Sequence, residues 1–243
     1  MNELDYLNGQ RSGYATAAQP EVMTLEGYVA KAMRGVFGKM FLGILVTAFV
    51  SLGIASSQSF ISMVFSNQLV FWGLLIAQFG VVIVLSACIN KLSNGMATFL
   101  FFLYAALTGV TLTPIFFAFS GAAIVKTFFI TAGVFGAMAA YGYCTKKDLS
   151  KMGSFLVMAL FGLIIVSIVN IFLKSSGMEW IISIVGVVIF IGLTAWDTQK
   201  VKQMVAETDV ANQGKVATLG ALSLYLDFIN LFLYLLRIFG SRD

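Results

Sequence analysis

The sequence predicts an all-α integral membrane protein with seven transmembrane helices, and three observations carry that expectation. The chain of 243 residues is 59 % hydrophobic and only 11 % charged. Its mean hydropathy is +0.93. Its charges stand in short islands between long apolar runs. Soluble domains carry about 25 % charged residues, so this composition is matched to lipid. The runs are apolar on every face, whereas barrel strands alternate at period two over about ten residues, which leaves helices as the spanning element.

A spanning helix needs about 20 apolar residues to cross a hydrocarbon core of about 30 Å. No charge occurs in 40–90, 92–125, 127–145, 152–173 or 180–196, and 216–236 holds one, Asp227. The first stretch is long enough for two spans, split by the polar residues between Ser56 and Gln68. The expected spans are therefore 38–57, 69–90, 96–119, 124–144, 154–173, 179–199 and 217–239. Pro114 should kink the third, because proline removes a helical N–H. In the fourth, Ala132, Gly133, Gly136, Ala137, Ala139 and Ala140 point to close helix packing. Two regions follow: a polar cytoplasmic segment, 1–35, and a seven-helix membrane domain, 36–240. Residues 1–35 lack the pattern of a cleaved signal peptide, so span one is expected to act as an uncleaved signal.

The Lys/Arg bias sets the expected orientation. With the N terminus inside, Lys31, Arg34, Lys39, Lys91, Lys146, Lys147, Lys151, Lys200, Lys202 and Lys215 lie inside, and Lys126, Lys174, Arg237 and Arg242 outside. Arg237 and Arg242 oppose the rule, which leaves a re-entrant last segment open. The net charge of +4 is explained by topology. Basic residues come in ones and twos, so no nucleic-acid partner is expected. Cys88 and Cys144 are far apart and read as unpaired packing residues.

The chain contains no histidine. That excludes Ser-His-Asp and Cys-His catalysis and imidazole-built zinc sites, and it removes the usual titrating group near neutral pH. No cofactor fingerprint is present, and no enzymatic activity is expected. Asp227 stands about ten residues into the last span, where an ionisable group costs at least about 2.5–3.5 kcal/mol and marks a pathway or a paired site. Ser223, Asp227, Asn230, Tyr234 and Arg237 follow at spacings of 4, 3, 4 and 3, one polar stripe on an apolar helix. The stripe reads either as an ion or proton site or as a hydrogen-bond network fixing the last helix. Asp197, near the end of span six, could pair with Lys200 or Lys202. It could also meet Asp227, since consecutive spans are antiparallel neighbours. Two close carboxyl groups share a proton and titrate as a unit, which is a route to a pH response without histidine. Lys91, at the end of span two, is either a flanking charge or a partner for Asp197.

Several stretches resemble the Bax inhibitor family, most closely its bacterial inner-membrane branch. They are Gly220-Ala221-Leu222-Ser223-Leu224-Tyr225-Leu226-Asp227-Phe228-Ile229-Asn230-Leu231-Phe232, then Leu236-Arg237-Ile238-Phe239-Gly240, and Leu193-Thr194-Ala195-Trp196-Asp197-Thr198-Gln199-Lys200. Tyr141-Gly142-Tyr143-Cys144-Thr145-Lys146-Lys147-Asp148-Leu149 and Thr108-Gly109-Val110-Thr111-Leu112-Thr113-Pro114 agree as well. The resemblance spans about 25–240. It implies a seven-helix fold whose last helix is surrounded by the other six. It also implies a pH-sensitive calcium leak sensed by two aspartates, which fall on Asp197 and Asp227, and a basic latch that falls on Lys91. The family pattern has arginine at the latch, and lysine cannot make arginine's bidentate carboxylate pair. The implied partners are the bilayer, protons and calcium as permeant or bound ion, with no other cofactor. Two alternatives remain: a non-catalytic modulator that binds other membrane proteins, and an intramembrane aspartyl protease. The protease reading lacks the usual Tyr-Asp and Gly-x-Gly-Asp contexts, since Asp197 follows Trp196 and Asp227 follows Leu226.

Overall fold

A computed structural model describes residues 24–240, and every long element in it is a helix. In chain order these are α1 (Leu25–Ala55), α2 (Gln58–Phe65), α3 (Gln68–Ala87), α4 (Asn94–Leu112), α5 (Ile115–Ala118), α6 (Gly121–Cys144), α7 (Ser150–Leu173), α8 (Ser176–Ala206) and α9 (Gln213–Phe239). Among the described residues seven helical segments are long and apolar enough to cross a membrane: α1, α3, α4 with α5, α6, α7, α8 and α9. Hydroxyl and amide side chains start most of them. Thr24, Asn67, Ser93, Ser120 and Ser175 each accept a backbone N–H of the first turn that would otherwise be unpaired.

The helices differ from the apolar runs chiefly at their ends. α1 begins at Leu25, so the latter part of the expected polar segment 1–35 is helical, while residues 1–23 lie outside the described residues. The physical reason is amphipathicity. Val29, Ala32, Met33, Val36 and Met40 are buried at helical spacing while Lys31 and Arg34 stay exposed, so the helix continues where hydropathy falls. The polar break between the first two spans holds an eight-residue helix, α2. Pro114 does more than kink span three: α4 stops at Leu112 and the short α5 restarts after the proline. α9 runs unbroken for 27 residues, about 40 Å, so the last segment is a single crossing. Arg242 lies outside the described residues.

α9 is the centre of the bundle. Its main neighbours are α8, α1, α6 and α4. α3 leans on α4 and α7 leans on α8, forming an outer tier behind that ring. The burial pattern agrees: fourteen residues of α9 are buried, against Leu85 alone in α3 and three in α7. The small-residue cluster of span four is corrected in detail. Gly133, Gly136, Ala137 and Ala140 are exposed and Ala132 is half-buried, leaving only Ala139 of the six buried. The close approach comes from Gly142, where an added Cβ would meet the carbonyl of Ala195 in α8.

The start of α1 and the turns after α3, α6 and α8 share one end, which carries most of the lysines. Contacts across that end hold it together: Tyr28 donates to the carbonyl of Thr208 (3.1 Å), Lys202 to Tyr143 (2.8 Å) and Lys215 to Asn90 (3.3 Å).

Candidate functional site

The site is built on the antiparallel pair α8 and α9. Neighbouring helices grip α8 just before Asp197. Ala195 backs onto Gly142 of α6, and the Trp196 ring fills the space where Gly153 of α7 has no side chain. Asp197 is thereby held toward α9. On α9, Gly220, Asp227 and Tyr234 recur every seven residues, so all three lie on the seam facing α8.

The structure brings the two aspartates together. Their side chains lie within hydrogen-bond reach of each other. Asp227 is 4 % exposed, fourteen residues past Gln213 and so near the middle of α9, while Asp197 is half-buried. Among the described residues no protein donor reaches Oδ2 of Asp227. The Asp197 carboxyl is the titratable group that meets it, and two carboxyl groups this close can share a proton. Lys200 is the cation that acts on Asp197, and its Nζ lies 4.8 Å from the Trp196 ring centre. Lys202 is committed elsewhere, to the carbonyl of Tyr143 and 4.5 Å above that ring.

The rest of the stripe lines the same seam without reaching the carboxyls. Ser223 is half-buried. The Asn230 amide donates back to the carbonyl of Leu226 at 2.8 Å. Tyr234 stacks on Phe190 of α8, with ring centres 5.8 Å apart and planes at 27°, and the guanidinium of Arg237 lies 5.5 Å from the Tyr234 ring centre. Lys91 is not drawn into the site. It ends the short turn Ile89–Lys91 and is exposed, and its side chain makes no hydrogen bond or ion pair among the described residues. Cys88 and Cys144 are free. No cluster of three or more Asp, Glu, Cys or His side chains is present among the described residues, so the aspartates stand as a pair.

Two polar devices escaped the sequence reading, both on the opposite face of α9. Lys39 of α1 donates to Thr98 of α4 (3.2 Å) and to the Gly214 carbonyl (3.2 Å) and Thr218 hydroxyl (2.6 Å) of α9. Deeper in, Thr47 of α1 donates to the Ala105 carbonyl (2.8 Å), and its hydroxyl meets that of the fully buried Tyr225 at 2.6 Å. In the sequence Lys39 is a flanking charge and Thr47 a lone hydroxyl in an apolar run. The only available signal was that Lys39, Thr47 and Ser51 share one helical face. At the lysine-rich end, the Gln199 side chain accepts from Leu149 N–H (2.9 Å) and donates to the Lys147 carbonyl (2.8 Å), fixing the α6–α7 turn. Asp148 in that turn accepts from Ser150 N–H (2.9 Å), and the Ser150 side chain together with that N–H holds its carboxyl below the usual carboxylate range.

Comparison with known proteins gives a consistent result. A family model described as "Inhibitor of apoptosis-promoting Bax1" matches residues 29–243. The chain is 52 % identical over 221 residues to the "Inner membrane protein YbhL" of Escherichia coli K12, covering 90 % of this chain and 93 % of that protein. It is 46 % identical over 229 residues to an uncharacterized protein of Borreliella burgdorferi, covering 93 % and 97 % of the two chains. A third relative, the uncharacterized protein RP147 of Rickettsia prowazekii, is 41 % identical over 223 residues, covering 90 % and 93 %.

Proposed function

Because this chain belongs to the Bax inhibitor family of membrane proteins, we propose that it is a pH-sensitive cation leak, calcium foremost, gated by Asp197 and Asp227. The observation that carries the reading is the meeting of these two carboxyl groups, from consecutive helices, in the interior of the bundle. With one proton between them, an O–H···O⁻ bond joins α8 to α9. When that proton leaves, two like charges stand at contact distance where the dielectric screens poorly, and the helices must separate or take up a cation. Calcium suits such a site because it prefers oxygen ligands. The two carboxylates supply such oxygens, and conduction requires a site that attracts the ion without trapping it.

In this reading Lys200, the cation acting on Asp197, takes the role of basic partner, and Lys91 stays an exposed flank. The protein sits in the cytoplasmic membrane with its lysine-rich end inside, in keeping with the positive-inside rule and the E. coli relative's name. Transport is its activity, without bond-making chemistry, and it uses no resident cofactor.

The test is calcium flux into proteoliposomes from mildly acid to mildly alkaline pH, comparing wild type with Asp227→Asn. The wild type is expected to leak in a pH-dependent way, and Asp227→Asn to lose that dependence because amide and carboxyl cannot share a titrating proton. Equal, pH-independent flux from both proteins would sink the reading.

A further inference from the structure

The α8–α9 seam is closed on both sides of the aspartate pair, each time by a side chain seated on a glycine of the opposite helix. Toward the lysine-rich end, seven residues before Asp227, Gly220 receives Val201: a Cβ there would stand 2.5 Å from Val201 Cγ1. Toward the other end, seven residues after Asp227, Tyr234 lies flat on α8. A Cβ on Gly186 would stand 2.8 Å from its Cδ1, Cδ2 and Cε1 atoms, and Phe190 stacks against the same ring. At 1.5 Å per residue, each closure is about 10 Å along α9 from Asp227, while along α8 Val201 is about 6 Å and Gly186 about 16 Å from Asp197.

Open space reaches Arg237, the residue that caps the Tyr234 ring. A cavity of about 300 Å³ is lined by Phe119, Glu179 and Arg237 among others, and a second of about 170 Å³ by Glu179, Trp180, Ser183 and Arg237. Neither is lined by Asn230, Asp227 or Asp197. We infer that Tyr234, seated on Gly186 and capped by Arg237, is the seal that must swing aside for water or a cation to reach Asp227 from that end. This inference rests on the reading of the aspartates as a cation site. A cation arriving at that mouth meets Glu179 and Arg237 together, and Arg237 is the group that lies over the ring. Val201 on Gly220 is the matching inner barrier, and the two need not open at once.

Thiol accessibility tests the seal without depending on flux. In a Cys88→Ser, Cys144→Ser background, Asn230→Cys places a thiol between Tyr234 and Asp227. A water-soluble maleimide is applied to the detergent-solubilised protein. Labelling is expected to be slow, to rise several-fold with Tyr234→Ala added, and to stay slow with Tyr234→Phe, which keeps the ring. Gel filtration checks the fold, and Tyr234→Val replaces the alanine variant if that protein aggregates. Fast labelling with Tyr234 intact, or no acceleration on removing the ring, overturns the seal. If Asp227→Asn leaves flux unaltered while Tyr234→Ala still unmasks the thiol, the cation-site reading fails and the seal stands.

Discussion

Single atoms decide much of this structure. Gly142 is required because the Ala195 carbonyl occupies the position of a side chain. Gly142→Val should therefore lower stability by about 1–3 kcal/mol, the usual cost of overpacking, read as a drop in thermal midpoint in detergent. It should also disturb the aspartates, since Ala195 is two residues from Asp197. Asp148 provides a contrast in pH behaviour. Its carboxyl titrates below the ordinary range because Ser150 bonds the charged form. Its contribution is therefore complete above the ordinary aspartate range and lost only as pH falls through its depressed value. Asp148→Asn should leave the pH profile of flux near neutrality unchanged, which separates a loop carboxylate from the buried pair. A shifted profile would mean that the turn takes part in sensing.

At the scale of elements, α9 is held by different chemistry on its two faces. Toward α8 it presents a heptad seam with Asp227 at the centre. Toward α1 and α4 it presents Thr218 to Lys39 and Tyr225 to Thr47. Tyr225→Phe keeps the ring against Phe101 and Tyr104 but removes one buried hydrogen bond. Thr47 still donates to Ala105. The expected loss is about 0.5–1.5 kcal/mol in unfolding free energy, with the pH dependence of flux retained. A changed pH profile would show that the two faces of α9 are coupled. The aspartate seam was legible in the sequence because one charge in a charge-free run is conspicuous. Lys39 and Thr47 were not, because a flanking lysine and a lone threonine look the same whether they face lipid or a neighbouring helix.

The whole molecule is a two-tier bundle in which burial falls from α9 outward. Leu231 of α9 is fully buried, whereas Phe161 of α7 is 65 % exposed. Leu231→Ala should cost about 2–5 kcal/mol through the cavity it leaves, while Phe161→Ala, at the lipid face, should cost far less. Thermal unfolding in one detergent compares them directly, and equal losses would contradict a central α9. The sequence by itself determined the number of spans and the presence of a deep carboxylate, because lipid imposes length and apolarity on each helix separately. It also marked the residues on which the family resemblance rests. Only the tertiary structure decided which faces meet: that Asp197 touches Asp227, that Lys91 stays outside, and that glycines at 186 and 220 receive side chains from the opposite helix. In lipid all faces of a span are equally apolar, so periodicity cannot separate inward from outward. Helix pairing is set instead by small residues and a few hydrogen bonds, whose partners lie far away in the chain.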